Sequence, residues 1–279
     1  MRKKNIPNIL AALFMIAGFV LLFYPDLSNM QKTMVHGAIL REYDRFVSQL
    51  PPEEIDRQLY RASRHNASLG SLPPGHPLLL GELAQQPEDY AQTLYAQGVM
   101  AWIDIPSIDV SLPVYHGTSP EVMSRGVGHL EGTAFPTGGD STHAVFTTHS
   151  GLPGTRLFTD LHQMNIGDKF FLSVLGQRLA YQVDQIIIIL PHEIEHLRVA
   201  PGEDLVTLIT CTPIALNTHR LLVRGTRIPY VEYMAEDIQP VHVPTGLRMR
   251  GTIFLVFFLV NILLWRAGRR PRPMPEIVQ

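Results

Sequence analysis

The sequence is poor in cysteine. Cys211 stands alone among 279 residues, which excludes an intramolecular disulfide and leaves one unpaired thiol to account for. It also lacks any strong excess of charge. A net charge of −2 with a pI near 6.6 removes the electrostatic case for nucleic-acid binding. Internal repeats and low-complexity blocks are absent. Aromatic residues are modest in number while Pro and Gly are frequent, a composition that fits a β-rich fold with many turns.

What the chain does have is two apolar segments near its ends. Residues 6–24 read IPNILAALFMIAGFVLLFY after Arg2, Lys3 and Lys4, about long enough to cross a bilayer core. Residues 251–265 read GTIFLVFFLVNILLW. That run is shorter, is interrupted by Asn261, and precedes Arg266, Arg269, Arg270 and Arg272. Two transmembrane helices with both termini cytoplasmic, and everything between them exported, follow from the positive-inside tendency. Arg248 and Arg250, on the outer side of the second segment, weigh against that orientation. A cleaved signal peptide is the alternative for the first segment, and Tyr24-Pro25-Asp26 makes a poor cleavage site. A buried helix is the alternative for the second.

Between them the texture changes twice. Residues 25–95 read as a membrane-proximal helical region, with helical spacing at 39–47. A break at Pro51-Pro52 is followed by Glu53 and Glu54, good residues for a helix start. The turn-rich stretch 71–81 interrupts this region. From Ala96 the pattern alternates, and strands are expected at 99–105, 108–114, 144–148, 169–175, 179–183, 185–190, 205–210 and 220–224. Strands of this length with regular turns suggest a barrel or a sandwich. Residues 233–250 read as a linker and 266–279 as a basic tail. Asn66-Ala67-Ser68 matches a glycosylation sequon by chance.

The chemistry concentrates in residues 205–227, LVTLITCTPIALNTHRLLVRGTR. A β-branched apolar strand ends at Cys211, and Thr212-Pro213 stops it because Pro has no N–H for a ladder. After a short loop, Arg220-Leu221-Leu222-Val223-Arg224 alternates as a second strand. A thiol at one strand's mouth beside a guanidinium at the start of the next makes a plausible nucleophile and oxyanion stabiliser. The plain alternative for a single cysteine is a buried, inert thiol. Its place at a strand end argues against that.

A thiol nucleophile usually needs an imidazole partner, and spacing alone does not choose among twelve histidines. His149 leaves the strand 144–148 at a turn, so its side chain can point into a mouth shared with Cys211. His143, on the same face of that strand, and His129 are rivals whose plain reading is a polar residue satisfied by backbone. His192-Glu193-Ile194-Glu195-His196 matches the zinc-protease pattern H-E-x-x-H. It follows Pro191 and precedes Pro201-Gly202, which leaves no room for the long helix that chemistry needs, so it reads as a polar loop. No metal or organic cofactor is expected.

Thr-Leu-Ile-Thr-Cys-Thr-Pro, with Asn-Thr-His-Arg-Leu-Leu-Val-Arg-Gly close behind, resembles the active-site hairpin of sortases, above all the class C, pilus-building type. Residues 98–139 resemble the first part of the same catalytic domain, and Thr-Thr-His-Ser-Gly-Leu-Pro resembles the family's His motif. There Gly-His-Arg-Gly-Leu-Pro is common, so Thr148 and Ser150 are departures. The resemblance implies a closed sortase-type β-barrel with short helices over residues 96–232. It implies Cys211 as nucleophile, His149 as acid and base, Arg220 as oxyanion or substrate-positioning residue, and Thr212 as a substrate contact. It also implies a lid at 71–81 whose nearest match to the family's Asp-Pro-aromatic plug is His76-Pro77-Leu78, lacking both the Asp and the aromatic. The implied reaction cleaves an LPxTG-like sorting signal between Thr and Gly and passes the acyl group to a pilin lysine. Anchoring of surface proteins to a peptidoglycan amine is the alternative. A non-enzymatic membrane scaffold or receptor is the alternative of another class.

Overall fold

In a computed structural model the chain is described over residues 6–70, 89–152 and 154–231, with the backbone alone over parts of 6–33. Eight strands close into a barrel in the order β1-β2-β3-β4-β7-β8-β6-β5. They are β1 Ala101–Ile105, β2 Val110–His116, β3 Val127–His129, β4 Thr142–Thr147, β5 Lys169–Val174, β6 Gln177–Ile189, β7 Asp204–Thr212 and β8 His219–Ile228. Six of the eight pairings are antiparallel. The exceptions are β2 with β3 and β4 with β7, which are parallel. The closed barrel takes the place of the barrel-or-sandwich alternative, and closure removes every free sheet edge.

Alternation along the strands sorts side chains into two sets. Ile103, Val114, Phe146, Phe170, Leu172, Tyr181, Leu208 and Val223 fill the interior. On the outer face Val145, Ile209, Leu222 and Ile189 form a smaller apolar cluster, and Leu197 from the β6–β7 loop packs onto it.

Residues 179–183 and 185–190, expected as separate strands, are one strand, β6, with a shift of register between Val183 and Gln185. Asp184 is the residue inserted there. An extra residue reverses which parity faces inward. Tyr181 and Val183 point into the core before the bulge, while Ile187 and Ile189 join the outer cluster after it. Asp184 receives two hydrogen bonds from Arg224, at 3.1 and 2.7 Å, so the bulge has a fixed partner on β8.

The described residues hold three α-helices: α1 Ile6–Gln49, α2 Pro52–Gly70 and α3 Pro120–Arg125. The helix break falls at Pro51-Pro52, as the sequence suggests. Residues 31–242 form one compact unit and hold the barrel. Within it, Tyr43 of α1 accepts a hydrogen bond from the Leu175 N–H at 2.9 Å. The described residues hold no helix long and apolar enough to cross a membrane. The transmembrane helices expected at 6–24 and 251–265 are accordingly not features of the described fold. Most side chains of 6–24, and the whole of 251–265, fall outside the described residues. So do the lid candidates His76, Pro77 and Leu78, the linker 233–250 and the tail.

The sequon at Asn66 has a structural explanation. The side chain is 3% exposed, its amide donates to the Phe135 carbonyl at 2.9 Å, and its carbonyl accepts from the Phe135 N–H at 2.8 Å. It clips α2 to the barrel and is closed to modification. Replacing Asn66 with Ala leaves the buried Phe135 N–H without an acceptor. We expect a loss of about 1–3 kcal/mol in a urea melt, with the unfolding slope unchanged.

Candidate active site

Cys211 ends β7, and its direct partner on β8 is Arg220. On the other side of Arg220 lies Ile189 of β6. The parallel register from β4 advances 62 positions, taking Thr147 to Ile209, and the same step takes His149 to Cys211. The chain keeps to that register beyond the strand. The Thr148 N–H donates to the Ile209 carbonyl at 3.3 Å, and the Thr210 hydroxyl donates to the Thr148 carbonyl at 2.9 Å. His149, Cys211 and Arg220 therefore form one row across three adjacent chain segments. Neighbours in such a row point to the same face, with backbones about 4.8 Å apart. The face is the outer one, directly above Ile209 and Leu222. All three residues are partly exposed, so the thiol is neither sealed in the core nor free on a loop.

The chain reaches this arrangement for local reasons. The β-branched run of β7 carries Cys211 to the rim, where the peptide between Thr212 and Pro213 is cis. Ala215 and Asn217 take left-handed conformations in the β7–β8 loop. Arg220 Nη1 donates to the carbonyls of Asn217 and His219, at 3.1 and 3.0 Å. Those bonds brace the guanidinium against its own loop. Its remaining N–H groups have no partner among the described residues. Gly151, in the loop leaving β4, sits at φ +67° against Ile214 of the β7–β8 loop, and a Cβ there would collide with Ile214. Only glycine lets these two loops meet beside the row.

The other candidates fall into structural roles. His143 shares the outer face but is buried. Its ring bonds the Arg198 carbonyl at 2.8 Å and the Thr207 hydroxyl at 2.7 Å, and burial pushes its pKa down to about 4. His129 is fully buried, bonded to the Ala134 carbonyl at 2.9 Å and to the Tyr90 hydroxyl at 2.9 Å, and stacked on Phe135. Burial lowers its pKa to about 4 as well. Arg224 is held by Asp184, and Arg227 lies near Asp204 and over the Tyr181 ring. His192 to His196 lie in a turn leading into a short 3-10 stretch, Glu195–Leu197, with the Glu193 carboxylate accepting from the Leu190 N–H at 2.7 Å. The two imidazoles do not share a helical face. Among the described residues no cluster of His, Cys, Asp or Glu could hold a metal ion.

Thr212 pairs with His219 at the rim, one residue past Cys211, so the pleat turns it to the opposite face. It borders the mouth without joining the row. Ser150 was legible only as a departure from a motif. Its hydroxyl donates to the Cys211 carbonyl at 2.6 Å. Apolar side chains frame the row: Ile214 and Leu216 from the β7–β8 loop and Leu190 after β6 are all exposed, Leu216 at 71%. A half-exposed thiol between an imidazole and a guanidinium, beside an apolar surface, suits acyl transfer on an extended peptide.

Comparison with known proteins agrees with that chemistry. The Sortase domain model matches residues 103–228, from within β1 to the end of β8. Sortase A of Streptococcus agalactiae serotype III (strain NEM316) is 30% identical over 143 residues, and the match covers 50% of this chain and 57% of that protein. The chain thus spans little more than half of that curated relative. Two solved structures are similar over most of their length. Sortase C1 of GBS pilus island 1 is 44% identical with a TM-score of 0.66, covering 70% of this chain and 100% of that one. Streptococcus pneumoniae sortase C is 42% identical with a TM-score of 0.63, covering 69% and 97%.

Proposed function

This chain belongs to the sortases and is similar to solved class C members, and on that footing we propose that it is a membrane-anchored cysteine transpeptidase acting on pilin sorting signals. The Cys211 thiolate attacks the Thr carbonyl carbon of an LPxTG-like segment. The guanidinium of Arg220, across the ladder, donates hydrogen bonds to the oxygen as it gains charge. The Thr–Gly C–N bond breaks, His149 gives its proton to the departing Gly amine, and a thioester remains on Cys211. A lysine amine of a second pilin then attacks the thioester. His149 takes the proton from that amine, the new amide forms, and the Cys211 sulfur is released. Thr212 contacts substrate from the rim.

The observation that carries this reading is the single row His149–Cys211–Arg220 set by two independent registers. The basic residues flanking 6–24 and 251–265 support anchoring, with the barrel outside the cell and both ends in the cytoplasm. A second reading, attachment of surface proteins to a peptidoglycan amine, draws on the relatives named sortase A. It differs in the acceptor alone.

The test is to incubate the full chain with an LPxTG peptide and hydroxylamine. Expected products are the Thr hydroxamate and a free Gly-terminated fragment. Intact peptide after prolonged incubation rejects the enzyme reading in favour of a scaffold. Mass spectrometry of cell-surface products separates the acceptors. Pilin-to-pilin lysine crosslinks support polymerisation, and muropeptide adducts support anchoring.

A further inference from the structure

The reaction as written makes no use of Ser150, although its hydroxyl joins the loop bearing His149 to the Cys211 carbonyl. The regular ladder between β4 and β7 is finished by this point. Its last rung, from Thr148 to Ile209, is 3.3 Å long. Past it, two hydroxyls take over. Thr210, next to Cys211, donates to the carbonyl of Thr148, next to His149. Ser150, next to His149 on its other side, donates to the carbonyl of Cys211 itself at 2.6 Å. His149 is thus bracketed by two bonds to the β7 rim.

The two brackets differ in kind. Thr210 to Thr148 is buried and extends the sheet. Ser150 to Cys211 lies in the loop. Other bonds near it, Phe158 N–H to the His149 carbonyl at 3.3 Å and Gly151 N–H to the Thr159 hydroxyl at 2.9 Å, tie the loop to itself and leave its distance from Cys211 unset. The Ser150 hydroxyl alone, among the described contacts of residues 149–151, reaches the peptide unit that carries the nucleophile. An imidazole that must first give and then take a proton at one sulfur-bound centre has to keep its place to within a fraction of an ångström.

We propose that Ser150 is a positioning residue for acyl transfer: its hydroxyl bond to the Cys211 carbonyl holds the loop bearing His149 at a fixed distance from the thiol. The inference rests on the transpeptidase reading above, and it adds a residue that touches neither the sorting signal nor the amine. Its effect belongs to the chemical steps, so it falls on kcat and not on substrate binding.

Two variants of the full chain, Ser150→Ala and Ser150→Thr, test it beside the wild type, each assayed with the LPxTG peptide and hydroxylamine. Ser150→Ala is expected to lose about ten- to a hundredfold in kcat with KM within about twofold. The thermal midpoint should stay within about 3 °C, since the bond is partly exposed. Ser150→Thr keeps the hydroxyl and is expected to return kcat to within about threefold of wild type. A kcat for Ser150→Ala within twofold of wild type overturns the positioning role and leaves the transpeptidase reading intact. A fall in kcat that Thr does not restore, or one matched by a rise in KM, also overturns it. A wild-type chain that leaves the peptide uncut sinks both.

Discussion

Cys211→Ala is expected to abolish sorting-signal cleavage, with a fall of at least about a thousandfold, while leaving the fold as it is. Both halves follow from where the thiol sits. It ends β7 at the barrel rim, half exposed and outside the buried clusters, so Ala removes a sulfur and little packing. The stability change should stay within about 1 kcal/mol. The bond from the Ser150 hydroxyl and the pairing with Arg220 engage only main-chain groups of Cys211 and survive the change. What is lost is the atom that forms the thioester. Cys211→Ser keeps the shape but replaces the thiol with a hydroxyl that a lone imidazole activates poorly, and it should be nearly as inactive. Peptide cleavage followed by chromatography, with a urea melt alongside, reads both quantities. Cleavage by Cys211→Ala above about one per cent of wild type would remove the nucleophile from the proposal.

Arg220 belongs to the same argument. Its Nη1 is committed to two loop carbonyls, so the group is aimed before substrate arrives. Preorganised donors of this kind typically carry about a hundred- to a thousandfold in rate. Lysine at this position would keep the charge but lose the planar fork that binds loop and oxyanion together.

The strands were legible because alternation is a local signal. The catalytic hairpin was legible because a β-branched run, a Pro stop and a second alternating run lie within 23 residues, 205–227. His149 could be placed at a strand exit, but nothing local says that this exit lies beside Cys211. That adjacency depends on the parallel pairing of β4 with β7, with two strands inserted between them in the chain. Long-range pairings leave no mark in a single sequence, and for this reason the choice among histidines needed the resemblance. The bulge at Asp184 is not legible in the sequence for a related reason. Residues on either side of it alternate perfectly well, and the change of phase reads as a gap between two strands. Only the partner strand, with Arg224 reaching for Asp184, reveals one strand with an insertion. The hydroxyl of Ser150 is hidden more deeply still, since a Ser before Gly-Leu-Pro is ordinary in a surface loop.

Acid is expected to destabilise this fold well before its carboxylates are protonated. His129 and His143 are buried neutral, with folded pKa values pushed down to about 4 by loss of solvent. In the unfolded chain the same rings titrate near 6.5. Between those values the unfolded state binds protons that the folded state refuses, so stability is whole above about pH 6.5 and falls as pH drops toward 4. Each ring can contribute up to about 3 kcal/mol over that window, against total stabilities of about 5–15 kcal/mol for a typical domain. His36, His65 and His116 are shifted down in the same sense, each chiefly by burial. Asp104 and Asp44 oppose the trend. Burial raises both carboxyls, so the folded state takes up their protons first and recovers some stability at the acid end. The histidines outnumber them and begin to act at higher pH. Urea midpoints should therefore decline steadily from pH 7 to pH 4.5. In His143→Gln, where the amide can still reach the Arg198 carbonyl or the Thr207 hydroxyl, the decline should be shallower than in wild type whatever happens to stability at neutral pH. Midpoints that hold level between pH 7 and pH 5, or an unchanged slope in His143→Gln, would mean that these rings accept protons in the folded state, against the burial and bonding of both.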